Sequence, residues 1–266
     1  MSALSRGKRS PLEIQRAVLF ALFVRELKTR FEGSWTGFVW VLLEPLGYVL
    51  VMSLLLGSLH HTFSPSIAYP VFLVTGMLPF FLFRNLAFRL MDAVDANLGL
   101  FVYRQVKPMD AIVSRAMLEV VLLSVVYALT LLVLMALGYD VLPARPLELM
   151  GVSALLVLLG FSMGLFFAVA THGVPRVRAF IRVCRAPLYF LSGVIFAVHA
   201  LPEELRKWLL WNPVLHLLEL TRGCFFPTYP VLPEVNTGYV TAFTLIFLVL
   251  GLCLYRVRRQ QLITLA

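Results

Sequence analysis

The chain has 266 residues, 60% of them hydrophobic and 14% charged, with a mean hydropathy of +0.88. A soluble domain carries roughly a quarter charged residues, so this composition excludes a water-soluble globular protein and points to an all-α polytopic membrane protein. The net charge of +9 does not indicate nucleic acid, because the basic residues are scattered between apolar runs; membrane topology accounts for them better.

The N-terminal stretch "MSALSRGKRSPLEIQRAVLFALFVRELKTRF" (1–31) has a basic start and an eight-residue apolar core, Ala17–Val24. A signal peptide would place small residues where Arg25, Glu26, Lys28 and Arg30 stand, and eight residues cannot span a bilayer. Residues 1–33 are therefore expected to form a cytoplasmic N-terminus and a helix lying at the inner interface, although the separation of charge around its wheel is poor. No Asp, Glu, Lys or Arg occurs from Pro45 to Phe83, a run of 39 residues. That suffices for two helices at about 20 residues per crossing. The polar stretch 58–69, "SLHHTFSPSIAY", divides it, predicting spans near 34–58 and 70–90 with His60 and His61 at a loop tip.

The segment "DANLGLFVYRQVKPMD" (95–110) lies between the second and third spans. It combines Leu98, Leu100, Phe101 and Tyr103 with Arg104 and Lys107, and a loop has little reason to expose that much apolar surface unless a partner covers it. Resting on headgroups is the simpler alternative. Further charge-free runs cover 120–139, 149–175, 186–202 and 235–255, predicting spans near 112–138, 148–171, 180–200 and 235–255. The fifth run is short, and Arg182 and Arg185 are expected to complete its inner end by snorkelling. The basic stretch 172–187 between the fourth and fifth spans is expected to be a simple topogenic loop.

"WNPVLHLLELTRGCFFP" (211–227) is apolar yet carries His216, Glu219 and Arg222. Six spans with both termini inside put 19 Lys and Arg residues on the inner side and 4 on the outer side, as the positive-inside rule requires. A further span at 214–226 would reverse the ending "RVRR" (256–259) and bury two charges, each costing roughly 2.5–3.5 kcal/mol at the membrane centre. Residues 203–227 are expected instead to form a re-entrant helical hairpin before the last span, bent at Asn212-Pro213, with Asn212 capping the second helix. Glu219 and Arg222 then share a face and pair, and Trp208, Trp211 and His216 line a collar at the pore exit. Such backbone needs protein or water around it. A cytoplasmic tail, 257–266, closes the chain.

Chemistry is sparse. No G-x-x-x-x-G-K-[ST] motif is present to cradle ATP phosphates. His216 and Glu219 could act as a metal or acid/base pair, but no further ligand stands at suitable spacing, so a structural role fits better. His60-His61 is a weak metal candidate, while His172 and His199 fall at span ends, where an imidazole needs no function. Cys184, Cys224 and Cys253 show no metal spacing. No catalytic, cofactor or metal residues are therefore expected.

The segments "FVRELKTRFEGSWTGFVWVLLEP" (23–45), "YPVFLVTGMLPFFLF" (69–83), "LFVYRQVKPMDAIVSRAMLE" (100–119), "PLYFLSGVIFAVHALP" (187–202) and "LLWNPVLHLLELTR" (209–222) together resemble the membrane subunit of bacterial capsular polysaccharide ABC exporters, from about residue 12 to 260. The resemblance implies a type 2 ABC exporter permease in the inner membrane, working as a homodimer with two copies of a separate nucleotide-binding ATPase. That ATPase would carry ATP and Mg and dock on the coupling loop 95–110. The cargo would be an acidic, lipid-anchored polysaccharide, passed on to periplasmic and outer-membrane export proteins. Aromatic rings can match the apolar faces of sugars, so Trp35, Trp40, Tyr48, Phe80, Phe81, Tyr189 and Phe190 are candidates for the substrate path. Arg84 and Arg89, with Arg25, Lys28 and Arg30, would suit an acidic substrate at its inner mouth, although topology alone already accounts for these charges. Rival classes are a permease of the same fold for O-antigen, teichoic acid or a drug, and a membrane-embedded transferase using His60, His61, His216 and Glu219.

Overall fold

The computed structural model describes residues 10–31, 35–63 and 67–264, with the side chains of 35–38, 41–42 and 56–63 excepted. All regular structure among the described residues is helical. Prolines mark many of the helix starts, because Pro at the first helical position gives up only an N–H that has no partner there. Pro11, Pro108, Pro146, Pro175 and Pro213 each occupy such a position.

Helix α1, Pro11–Phe31, opens with a capping box. The Glu13 N–H donates to Ser10 Oγ at 3.2 Å, and the Ser10 N–H donates to Glu13 Oε2 at 2.9 Å. The helix packs along α4, burying Leu22 and Glu26. Helix α2, Trp35–Phe63, contains Pro45 and runs five residues past the expected end at 58, so the backbone at His60 and His61 is helical, not a loop tip. The side chains of Trp35, His60 and His61 lie outside the described residues.

Helix α3, Tyr69–Arg89, is the pillar of the bundle, packing against α2, α4, α5 and α9. Its most apolar window is 89% buried, against 17% for the final long helix. Two 3-10 turns follow, Leu90–Asp92 and Asp95–Leu100. Helices α4 (Pro108–Ala136) and α5 (Pro146–Ala170) come next.

The continuous helix expected over 180–200 does not form. In its place stand α6, Pro175–Val183, and α7, Arg185–Leu191, after which the chain turns through Gly193 at φ +66°. The interruption suits a stretch whose helix-forming run is cut by small and β-branched residues, "SGVIFAV" (192–198). The basic loop expected at 172–187 is largely α6 itself, with exposed Val177, Phe180 and Val183 at every third position.

The hairpin expected at 203–227 is helical on both arms: α8 (Glu203–Leu209) and α9 (Pro213–Phe225). Helix α10, Thr237–Arg258, packs on α5 and α9, and a last turn, α11, covers Gln261–Thr264. Four described helices are long and apolar enough to cross a bilayer: the α3 segment, α4, α5 and α10. They coincide with the second, third, fourth and sixth expected spans.

Helix α5 approaches α3 through small residues. A Cβ at Gly160 would meet Leu86 Cβ at 2.8 Å, and one at Gly164 would meet the Leu86 carbonyl oxygen at 2.3 Å. In lipid, where packing replaces the hydrophobic effect between helices, such G-x-x-x-G contacts hold helices together. Gly164→Val is therefore expected to force α3 and α5 apart and to lower the amount of folded protein at least severalfold. Fluorescence-detected size-exclusion chromatography of membrane extracts measures this; a wild-type profile would refute it.

Candidate functional site

The end of the bundle where α3 finishes is built from charges. Glu26 of α1 accepts two hydrogen bonds from the Arg115 guanidinium of α4, both at 2.9 Å, and one from Asn97 Nδ2 at 2.9 Å. Arg25 donates to Asn97 Oδ1. Burial alone would raise the Glu26 carboxyl, but Arg115, Asn97 and Arg25 outweigh it and hold the group below its ordinary value. Glu119 of α4 is paired with Arg89 at 3.0 Å and accepts from Asn85 Nδ2 at 2.9 Å. The turns after α3 are tied to α6: Arg182 donates to Asp92 at 2.7 Å, His172 meets Asp95 at 2.8 Å, and Arg178 also pairs with Asp95.

This network fixes the expected coupling loop. Leu98 and Leu100 are half-buried, Arg104 and Lys107 exposed. Asp110 Oδ2 accepts the Lys107 N–H at 2.9 Å and so caps the start of α4. Phe101 departs from expectation: it is only 6% exposed, packed with Leu86, Leu90, Ala111 and Ile112. The apolar surface of the loop is Val102 and Tyr103, at 86% and 66% exposure.

Beside the network lies a cavity of about 420 Å³ lined by Arg30, Glu44, Phe81, Arg84, Phe88, Arg89, Asp92 and Arg185. A second, of about 290 Å³, shares Arg30, Arg89 and Asp92. Five of the aromatic candidates form one cluster of ring contacts, of which Phe81 lines the first cavity. Tyr189 is the hub, with ring centroids 6.0 Å from Tyr48, 5.2 Å from Phe80 and 5.6 Å from Phe190; Tyr48 and Phe81 lie 6.4 Å apart. The Arg84 guanidinium sits 4.2 Å over the Phe81 ring. Phe80 is fully buried and is core, whereas Phe190 is exposed. Trp40 stands apart on the open face of α2.

The opposite end, where α3 begins, holds the hairpin. Asn212 Oδ1 accepts the Val214 N–H at 3.0 Å, and Pro213 opens α9. Arg222 NH1 pairs with Glu219 Oε1 at 3.2 Å, both side chains at 1% exposure or less. Tyr229 Oη donates to the same carboxylate oxygen at 2.8 Å. Arg222 NH2 donates to the Val194 carbonyl at 2.8 Å, and its guanidinium lies 3.9 Å over the Phe72 ring. Only a glycine at 76 leaves room for it, since a Cβ there would approach Arg222 NH2 to 2.6 Å. His216 lines no exit: it is 3% exposed, with Nδ1 accepting the Asn236 N–H at 3.1 Å and Nε2 facing the Leu210 carbonyl at 2.8 Å. The accepted N–H assigns the remaining ring proton to Nε2. Trp208 and Trp211 are exposed. Among the described residues no three His, Cys, Asp or Glu are grouped to hold a metal.

Glu26, Asn85, Asn97, Arg115 and Glu119 were not among the residues singled out in sequence. The available signal was the carboxylate Glu119 standing at the edge of a charge-free run, where a lone ion is expensive and implies a partner.

Four bilayer-length apolar helices define a polytopic membrane protein, which carries a guanidinium-lined cavity at one end of its bundle. The chain belongs to the ABC-2 type transporter family, matched over residues 17–226. It is 38% identical over 256 residues to the polysialic acid transport protein KpsM of Escherichia coli, covering 96% of this chain and 99% of that protein. It is 30% identical to the capsule polysaccharide export inner-membrane protein CtrC of Neisseria meningitidis, covering 91% of each, and 27% identical to BexB of Haemophilus influenzae, another protein of that description, covering 93% of each. Family membership makes the chain a transmembrane transport subunit rather than an enzyme.

Removing one member of a buried ion pair costs about 3–5 kcal/mol, because the survivor is left unpaired. Glu219→Ala and Arg222→Ala are each expected to lower thermal stability and membrane abundance, and the double variant to lose less than the sum. A double-mutant cycle on melting temperature in detergent checks this; additive losses would show that the two side chains are not coupled.

Proposed function

We propose that the chain is the permease subunit of an ATP-driven exporter that moves a lipid-anchored capsular polysaccharide across the bacterial inner membrane. The observation that carries this is the end-to-end similarity to capsule export proteins, at 96% of this chain and 99% of the first relative. In this reading α2 and the broken α6–α7 segment join the four long apolar helices to give six spans, and α8–α9 is the re-entrant hairpin. The lysine and arginine distribution supports cytoplasmic termini. A chain without an evident internal repeat forms a central path most simply as a two-fold dimer.

Two copies of a cytoplasmic ATPase, holding ATP and Mg, would dock on the coupling loop 95–110, with Val102 and Tyr103 as its apolar contacts. Periplasmic and outer-membrane proteins would take up the polymer beyond. Deleting the gene is expected to abolish surface polysaccharide while polymer accumulates inside the cell, and a plasmid copy restores it. An unchanged capsule would refute the proposal.

The loop gives a sharper prediction. Tyr103→Asp places a charge on a surface that docking would desolvate, so it should leave the protein at normal abundance with weakened ATPase co-purification and lost export. Phe101→Asp puts the charge into the core and should deplete the protein itself. Equal abundance of the two variants would contradict the burial difference.

A further inference from the structure

We infer that the cavity between α1, α2, α3, α4 and α7 is a binding site for a polyhydroxylated oxyanion, a carboxylated sugar or a glycerophosphate headgroup, held by Arg30, Arg84 and Arg185. Positive-inside topology explains why basic residues gather at this end of the bundle. It does not explain their different fates. Arg89, Arg115, Arg178 and Arg182 are each ion-paired with a carboxylate. Arg30, Arg84 and Arg185 have no carboxylate within ion-pair distance among the described residues, and all three converge on the same space of about 420 Å³.

The nearest hydrogen-bond acceptor to Arg84 is Asn85 Oδ1, at a long 3.4 Å, and the Nδ2 of that amide is already committed to Glu119. Arg30 Nε is buried without a hydrogen-bond partner among the described residues. Asp92, on the cavity wall, is occupied by Arg182 and Arg178. Guanidiniums without a carboxylate in contact, crowded in a partly dehydrated space, repel one another and have lost water, a cost that an anion entering between them reduces. Guanidinium forks match carboxylate and phosphate oxygens in pairs. Glu44, on the same wall and without an ion pair, supplies acceptor oxygens for hydroxyl groups and disfavours a bare multiply charged anion. The rings of Phe81 and Phe88 offer flat apolar surface to the carbon face of a sugar or glycerol. The volume falls within the roughly 300–1,000 Å³ range of small-ligand sites.

This inference rests on the permease reading only for the identity of the occupant as cargo. The binding test therefore uses the purified full-length protein in detergent, independently of export. Three probes are titrated and read by native mass spectrometry: short-chain phosphatidylglycerol, short-chain phosphatidylcholine, and an oligosaccharide of carboxylated sugars. One or both anionic probes should bind, phosphatidylcholine at least about tenfold more weakly. Arg84→Gln should weaken anionic binding about tenfold, since charge-assisted hydrogen bonds are the strong ones, and Arg30→Gln/Arg84→Gln should abolish it. Arg16→Gln, on the same helix as Arg30 but exposed and off the cavity wall, should leave it unchanged.

Binding of the oligosaccharide assigns the site to cargo, and binding of phosphatidylglycerol alone assigns it to a lipid headgroup. Because Arg84 has no carboxylate in ion-pair contact among the described residues, Arg84→Gln should not lower the melting temperature without ligand, and Arg84→Lys should retain part of the affinity. Equal affinity in wild type and the double variant, equal binding of phosphatidylcholine, or an unfolded Arg84→Gln protein alongside a fully binding Arg84→Lys would each overturn the inference. Intact binding with no capsule phenotype on deletion would instead refute the permease reading and leave the site standing.

Discussion

The close approach of α5 to α3 is the contact on which the rest of the architecture depends. Gly160 and Gly164 let the two backbones meet where any side chain would separate them. α3 then becomes a pillar covered on nearly all sides, and each of its ends can carry a polar arrangement that would be too costly on a lipid-facing helix. At one end Asn85 and Arg89 reach the carboxylate of Glu119. At the other, Phe72 and the gap at Gly76 receive Arg222. A helix free to slide or rotate could serve neither end.

The two ends treat charge differently. The hairpin end encloses one ion pair and surrounds it with a tyrosine, a carbonyl and an aromatic face, leaving only Glu219 Oε2 and Arg222 Nε of the pair without a hydrogen-bond partner among the described residues. The other end ties Arg89, Arg115, Arg178 and Arg182 to carboxylates and leaves Arg30, Arg84 and Arg185 facing a cavity. The first is a device for holding structure. The second keeps binding capacity, at some cost in stability.

Much of this was legible in the sequence. Charge-free runs located α3, α4, α5 and α10, and the Asn-Pro pair at 212–213 located the bend between α8 and α9, because both signals are local. The spacing of Glu219 and Arg222 announced their contact for the same reason, being set by one helical turn. What failed was whatever depended on partners distant in sequence. Phe101 looked like an exposed residue of a loop until Leu86 and Ile112 were seen to cover it. The fifth span looked continuous because apolar composition does not reveal that Gly193 takes a left-handed turn. Glu26 gave no local hint of its role, since Arg115 lies 89 residues away.

The break after α7 has a consequence of its own. A helix that stops leaves carbonyls without intrahelical partners, and here other segments supply donors to the end of α7 and to the turn beyond it. Asn212 Nδ2 reaches the Leu191 carbonyl at 3.2 Å, Arg222 the Val194 carbonyl at 2.8 Å, and Tyr69 Oη the Ile195 carbonyl at 3.3 Å. Two of the three donors come from the bend and second arm of the hairpin. The stretch from 191 to 225 is thereby one cooperative unit, in which neither the broken helix nor the hairpin can open alone. In amide hydrogen exchange its protected backbone groups would be released together, as a single foldon bridging two segments that look independent along the chain.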